Sequence, residues 1–230
     1  MSRKSDGEEW LAVGALALGA WWLTRGEGES GGLFGWLDKL FGAKPATRFE
    51  PLPDWKLPEY QPTEIEITPK NTPASFGKMG LAYARGFRTI FGKKIPRHVL
   101  GMLLAQSALE TANWGKGFWE WNPANITTAR PRGFYMLPND ASLPREQRHK
   151  YAPYPDAQTG AQAHIATLMR VHQPAWDLIL ANGSPEDVAR SLKTTRFYES
   201  DAEGYAQGMR GEFDQIMRKL PQYQEPPPVT

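Results

Sequence analysis

Seven prolines between residues 45 and 73, in "PATRFEPLPDWKLPEYQPTEIEITPKNTP", constrain this 230-residue chain more than any other feature. Each proline locks φ and removes a backbone donor, so neither a helix nor a sheet ladder can run through the stretch. The chain is therefore divided into a short N-terminal part, an extended semi-rigid spacer and a larger C-terminal part. The spacer would hold a domain away from a surface, or wrap around it using Trp55, Tyr60, Ile65 and Ile67 as docking side chains. The division predicts a hydrophobic segment at 1–26, a second element at 31–44, the linker at 45–73, a folded domain at 74–221 and a disordered tail at 222–230.

From Trp10 to Leu23 no residue is charged. As a helix this run spans roughly 21 Å, short of the ~30 Å hydrocarbon core. Three readings compete. Arg3, Lys4 and the "ALA" at 15–17 suit a cleaved signal peptide, although Trp21 and Trp22 sit awkwardly after such a cut. A protein contact is the second reading. A short membrane anchor, with Trp10 and the Trp21-Trp22 pair at the two interfaces, accounts for most of the features. In "GGLFGWLDKLFGAKP" the residues Leu33, Trp36, Leu37, Leu40 and Phe41 share one helical face. That face suits a lipid surface, a partner groove or the folded domain itself.

The domain at 74–221 reads as all-α, with α+β character at most through a small irregular lobe. Phe76, Met79, Tyr83, Phe87, Ile90 and Phe91 recur at helical spacing, and Pro96 opens a second helix carrying Leu100, Leu103, Leu104 and Ala108. Further helices follow through Ile165, Leu168 and Met169, then through Trp176, Ile179 and Leu180 up to the stop at Asn182-Gly183. "SPED" at 184–187 supplies a cap, a first-turn proline and a capping-box acid. "SDAE" at 200–203 opens the last helix, whose inner face is Tyr205, Met209, Phe213, Ile216 and Leu220. Between Asn122 and Pro155 no period holds. Long irregular loops inside a helical domain are often functional.

The chain has no cysteine, which excludes a disulfide scaffold and a Cys-based metal site. His98, His149, His164 and His172 lack metal-ligand spacing, so no metal and no cofactor is expected. Residues 1–73 carry 8 basic and 11 acidic side chains, residues 74–230 carry 19 and 14. A mildly basic domain suits an anionic polymer such as a cell wall. Lys78, Arg85, Arg88, Lys93, Lys94 and Arg97 are interleaved with core positions and accompany no nucleic-acid motif, so no nucleic-acid partner is expected.

Glu110 ends the second helix, in a run otherwise nearly free of charge. The helix dipole makes that end negative, and burial beside Leu104, Ala108 and the nearby tryptophans would disfavour ionisation further. Both effects raise the pKa, as a general acid at neutral pH requires. A carboxylate simply turned to solvent is the plainer alternative.

Four blocks in order, across residues 97–217, resemble the bacterial and phage glucosaminidase-type peptidoglycan hydrolases. They are "AQSALETANWGKG", "NPANITTARPRG", "YAPYPDAQTGAQAHIATLMR" and "ARSLKTTRFYESDAEGYAQGM". The resemblance implies a lysozyme-like helical domain that cleaves the peptidoglycan glycan strand. It implies Glu110 as the general acid, Tyr198 in the cleft facing it, and Asn125 on the cleft floor. Tyr205 is expected in the core. Trp114 and Tyr154 are candidates for stacking on sugar rings, a use their chemistry shares with core packing. Glu146 sits about where the family's mobile lobe carries its second acid. Asp140 and Asp156 are the other carboxylates of the insert, and Asp156 suits a helix cap. A single-acid or substrate-assisted route is the alternative to two carboxylates.

Two departures stand out. The aromatic in "ETANW" stands four positions after Glu110 rather than three, which marks a subtype, and "ITTAR" replaces the glycine-containing turn after Asn125 and so alters the cleft floor. A tether of residues 10–41 would place the enzyme on a membrane, in a bacterial envelope or periplasm or in a phage virion, with envelope or virion proteins as further partners. A lytic transglycosylase and a non-catalytic wall-binding or virion structural protein with the same fold are the rival readings.

Overall fold

The computed structural model describes residues 49–56, 65–127, 133–137 and 141–222. The hydrophobic segment at 1–26, the element at 31–44 and nearly all of the tail at 222–230 lie outside the described residues. Among the described residues no helix is long and apolar enough to cross a membrane.

Helical periodicity and local caps generate six α-helices among the described residues. They are α1 (Phe76–Phe91), α2 (Arg97–Glu110), α3 (Ala157–Arg170), α4 (Gln173–Leu180), α5 (Pro185–Thr194) and α6 (Ala202–Lys219). The caps explain where they begin. Ser75 accepts from the amide of Lys78, Asp156 from Thr159, Ser184 from Asp187 and Asp201 from Gly204. Pro96 stands one position earlier than its expected first-turn place, as the N-cap residue of α2. Gly92, with φ at 65°, ends α1 in the left-handed conformation that favours glycine.

α2 is the central helix. Every residue from 99 to 108 is buried, which a sequence of "VLGMLLAQSA" permits because it is apolar nearly all round. α6 packs on α2 and α5, and α1 packs on α3. One continuous core joins Phe87, Met102, Leu103, Leu104, Ile165, Val188 and Met209. Removing one such fully buried Leu side chain costs about 2–5 kcal/mol. The described residues form a mostly helical unit without strands.

The proline-rich stretch does not stand off as a spacer where it is described. Phe49 packs edge-on against Phe87 and Phe91, with centroids 5.1 and 5.9 Å away, and Leu52 N donates to Ile90 O at 2.7 Å. Residues 65–74 run as a strap over the loop after α2. Asn71 Nδ2 donates to the carbonyls of Gly115, Lys116 and Phe118, and Lys70 N donates to Glu120 Oε1 at 2.6 Å. Prolines block a ladder, but isolated side-chain and amide contacts need none. Wrapping, rather than spacing, is the outcome here.

Among its described residues the irregular insert has isolated bridges, Tyr135 with Tyr151 and Phe134 with Glu66, and a short 3-10 turn at Arg145–Gln147.

Candidate functional site

The site begins where α2 runs out of helix. After Glu110, Thr111 caps the turn by giving its hydroxyl to Ser107 O at 2.6 Å and accepting Trp114 N at 3.2 Å. Ala112, Asn113 and Trp114 then have φ of 48°, 56° and 55°. Three successive side-chain-bearing residues in that region each carry a steric penalty of order 1 kcal/mol, which the surrounding contacts must offset. The indole Nε1 of Trp114 donates to Ser107 Oγ at 2.8 Å, and Asn113 N donates to Ala108 O at 2.8 Å. The strained turn is thus bonded back onto α2, and it sends the chain away from the carboxylate.

The loop returns through a second organised turn. Buried Asn122 accepts Ile126 N at 2.8 Å and donates to the carbonyls of Ile126 and Ala152, both at 3.0 Å. Within that turn Asn125 takes φ of 50°. Its Nδ2 reaches Glu110 Oε2 at 3.2 Å and the Glu110 carbonyl at 3.1 Å. One amide therefore holds the acid and also satisfies a carbonyl that the helix end leaves without a partner. From the opposite side the Tyr205 hydroxyl, in the first turn of α6, donates to Glu110 Oε1 at 2.7 Å.

The Glu110 carboxyl lies mostly among protein atoms, while the residue keeps a partly exposed surface. Burial raises its pKa above the ordinary carboxylate value, and the hydrogen bonds from Tyr205 and Asn125 act in the opposite direction. Burial, then the facing Glu110 charge, raises the Tyr205 phenol well above its usual value. Tyr205 therefore stays a neutral donor at neutral pH. Both partners of the carboxylate are neutral donors, so the proton on Glu110 is the mobile one.

Of the expected site residues, Glu110 and Asn125 are brought together. The hydroxyl bonded to Glu110 is that of Tyr205, while Tyr198 stands behind it. Tyr198 gives its hydroxyl to Ala189 O at 3.0 Å and stacks flat on Tyr205, with centroids 3.7 Å apart, while Tyr205 makes the contact with Glu110. The helical period put Tyr205 on the inner face of α6, and its ring does pack there; its hydroxyl extends past that face.

Trp114 and Tyr154 are 4% and 1% exposed, so neither ring has a free face for a sugar. Trp114 belongs to the main core. Tyr154 joins Ala124, Ile126, Ala152 and Ala163 in a small apolar cluster beneath the Asn125 turn. Glu146 is exposed on the turn Arg145–Gln147, which is fixed through an ion pair of Arg145 with Glu66. Among the described residues no hydrogen bond or ion pair links it to Glu110. Asp156 is the N-cap of α3, and Asp140 lies outside the described residues.

Three contributors were not singled out in the sequence: Asn122, Gln106 and His164. Gln106 and His164 are fully buried and bonded to each other, His164 Nε2 to Gln106 Oε1 at 3.0 Å. A signal existed, since both are polar residues on the apolar stretches of α2 and α3. Among the described residues no group of three or more His, Asp or Glu side chains is arranged to hold a metal ion.

No family model matches the chain, and neither a search of curated proteins nor one of solved structures found a match.

Proposed function

We propose that this chain is a peptidoglycan hydrolase of the endo-β-N-acetylglucosaminidase type, built on a lysozyme-like helical domain, with Glu110 as its general acid. The observation that carries the reading is the Glu110 carboxyl itself. It is desolvated at the end of a buried helix, on a residue that keeps a partly exposed surface, and gripped by two neutral donors. That arrangement favours the protonated form beyond the ordinary carboxylate range, as a general acid requires. Protonated Glu110 would give its proton to the glycosidic oxygen as the bond to the anomeric carbon breaks. Water would then add to the oxocarbenium-like carbon, giving up a proton to a second group. Glu146, on its exposed turn, is the candidate for taking that proton. In the substrate-assisted alternative the acetamido oxygen bonds the anomeric carbon as the leaving group departs, and water then opens that ring while Glu110 takes its proton. The four ordered sequence blocks support the substrate class, and residues 10–41 would tether the domain to a membrane in a bacterial envelope or a phage virion.

A second reading is favoured because, among the described residues, no second carboxylate is bonded to Glu110, whose recorded partners are Asn125 and Tyr205. In a lytic transglycosylase a single carboxyl acts first as acid and then as base, and a hydroxyl of the sugar replaces water.

The test is digestion of purified peptidoglycan by the full chain and by Glu110→Gln, with products read by mass. Hydrolysed ends from the wild type, lost in the variant, are expected. Anhydro ends would select the transglycosylase. Binding without cleavage by either protein would refute catalysis and leave a wall-binding or virion structural protein.

A further inference from the structure

The turn that leads the chain toward Asn125 is held from outside itself. Asn122 N donates to Trp119 O at 2.9 Å and closes a four-residue turn. Its two central residues, Glu120 and Trp121, have φ of 49° and 53°. A turn with two such residues favours glycine, asparagine and aspartate, so a glutamate and a tryptophan enter it at a steric cost. The strap at 65–74 offsets that cost by taking both central amides. Glu120 N donates to Lys70 O at 3.0 Å, and Trp121 N donates to the Thr72 hydroxyl oxygen, also at 3.0 Å. Lys70 acts through its backbone, since its own amide meets Glu120 Oε1 at 2.6 Å. Thr72 acts through its side chain, and its hydroxyl proton points at Phe118 O, 3.4 Å away.

We propose that Thr72 is a positioning residue for Glu110: its hydroxyl holds Trp121 in the left-handed conformation and so fixes the direction in which the chain runs on to Asn125. Each later joint is a hydrogen bond of the loop. Asn122, the last residue of the turn, accepts Ile126 N at 2.8 Å and donates to Ile126 O and Ala152 O, both at 3.0 Å. Between them Asn125 gives its Nδ2 to Glu110 Oε2 at 3.2 Å and to the Glu110 carbonyl at 3.1 Å. Without the Thr72 hydroxyl the Trp121 amide loses its acceptor, and nothing then favours the strained conformation at that residue over an ordinary one. The other side of the turn stays tied, because Tyr154 N donates to Glu120 O at 2.8 Å. The loop therefore re-aims rather than unfolds, and Asn125 leaves the carboxyl. The proline-rich segment becomes part of the site rather than a connection to it.

The groups facing the turn and the acid make this separable from other effects. At the turn stand the Glu120 carboxylate, bonded to Lys70 N, and Lys78 from α1, whose Nζ lies 3.9 Å from the centre of the Trp121 ring. Around Glu110 stand Tyr205 from α6, with Tyr198 stacked behind it, and Asn125 from the loop. Substitution at Thr72 removes no charge and touches neither tyrosine, so a change at Glu110 reports on Asn125.

The catalytic consequence rests on the reading of Glu110 as the working acid, but the positioning can be measured without substrate. In the full chain the 13C signal of the Glu110 carboxyl reads its titration. Asn125→Ala deletes a donor to the ionised form and should move that titration upward by about one pH unit. Thr72→Val keeps the shape of the side chain without its hydroxyl and should move it the same way by at least about half as much, while Thr72→Ser restores the wild-type curve. Added to Asn125→Ala, Thr72→Val should move it no further, because both act through one bond. A titration unmoved by Thr72→Val, whatever happens to Tm, would make Thr72 a merely structural residue and overturn the proposal. Full additivity in the double variant, or a serine that fails to restore the curve, would do the same. Should Thr72→Val fail to fold, the wild type decides: coupling is reciprocal, so protection of the Trp121 amide against exchange should fall as Glu110 takes its proton, and constant protection would overturn the proposal. If the titrations behave as expected and peptidoglycan is not cleaved, the hydrolase reading fails and the positioning stands; cleavage with unmoved titrations gives the reverse.

Discussion

Tyr205 in the first turn of α6 and Glu110 at the last position of α2 share a hydrogen bond of 2.7 Å across 95 residues of chain. The bond stabilises the ionised carboxylate, so removing it favours the protonated form. Activity that depends on a protonated Glu110 is lost as pH rises through its pKa. Tyr205→Phe should therefore move the alkaline limb of the pH profile upward, with a drop of about tenfold in kcat from loss of orientation. Rates on solubilised peptidoglycan across pH 4–9 check this; an unmoved limb would remove Tyr205 from the mechanism.

Glu110 also leaves a mark on stability. Burial raises its pKa in the folded protein above the 4.5 of an ordinary glutamate. The folded state thus holds the proton more tightly than the unfolded chain, and stability falls as pH climbs from about 4.5 through the folded value. Glu110→Gln has no such titration. The difference in Tm, variant minus wild type, should therefore grow between pH 4 and pH 8, whatever the fixed effect of the substitution. Calorimetry at four or five pH values suffices, and a flat difference would mean that the carboxyl is not desolvated.

The buried histidines act in the other direction. Burial depresses His164 to about 3 and His172 to about 4, from 6.5. Unfolded imidazoles bind protons first, so the stability they contribute is complete above pH 6.5 and is lost as pH falls toward those values. At pH 5 each accounts for roughly 2 kcal/mol of that loss. His172→Gln, which can still reach the Thr195 hydroxyl that His172 Nδ1 meets at 2.7 Å, should flatten the decline between pH 6.5 and 4.5. Urea unfolding at those two values measures it, and an equally steep decline in the variant would contradict the buried neutral state.

The helices were legible because their signals are local. Ser184 and Asp156 cap as their positions suggested, and the apolar period of α1 matched its span, Phe76–Phe91, at both ends. Glu110 stood out as a lone acid, and Asn125 came into view only through the family resemblance. Tyr205 did not, because periodicity assigns a residue to a face and cannot separate a ring that packs from a hydroxyl that reaches beyond it. Trp114 and Tyr154 were ambiguous for the same reason. The strap at 65–74 was least legible: its bonds run from Asn71 and Lys70 to a loop over 40 residues away, and no period records such pairings.

Gly160 tests how firmly that loop must be held. In the first turn of α3, a Cβ at this position would collide with the Trp121 carbonyl oxygen and lie 3.2 Å from Pro123 Cδ. Backbone cannot swing aside as a flexible side chain can. Gly160→Ala should therefore displace the turn that carries Asn125, with a loss of about 2–4 kcal/mol in stability and a larger proportional loss of activity. Chemical denaturation with a parallel activity assay checks both. A variant as stable and active as the wild type would show that α3 and the loop are free to separate.

Tyr198 separates stacking from chemistry. Its hydroxyl is engaged by Ala189 O, while its ring lies flat on Tyr205 at 3.7 Å. If the ring alone matters, Tyr198→Phe keeps the platform and reduces cleavage by less than about threefold, with about 1 kcal/mol lost from one hydrogen bond. Tyr198→Ala removes the platform and frees the Tyr205 ring to turn, so the Glu110 contact weakens and cleavage should fall by about tenfold or more. A Tyr198→Phe variant as impaired as Tyr198→Ala would instead give the hydroxyl a direct part in the reaction.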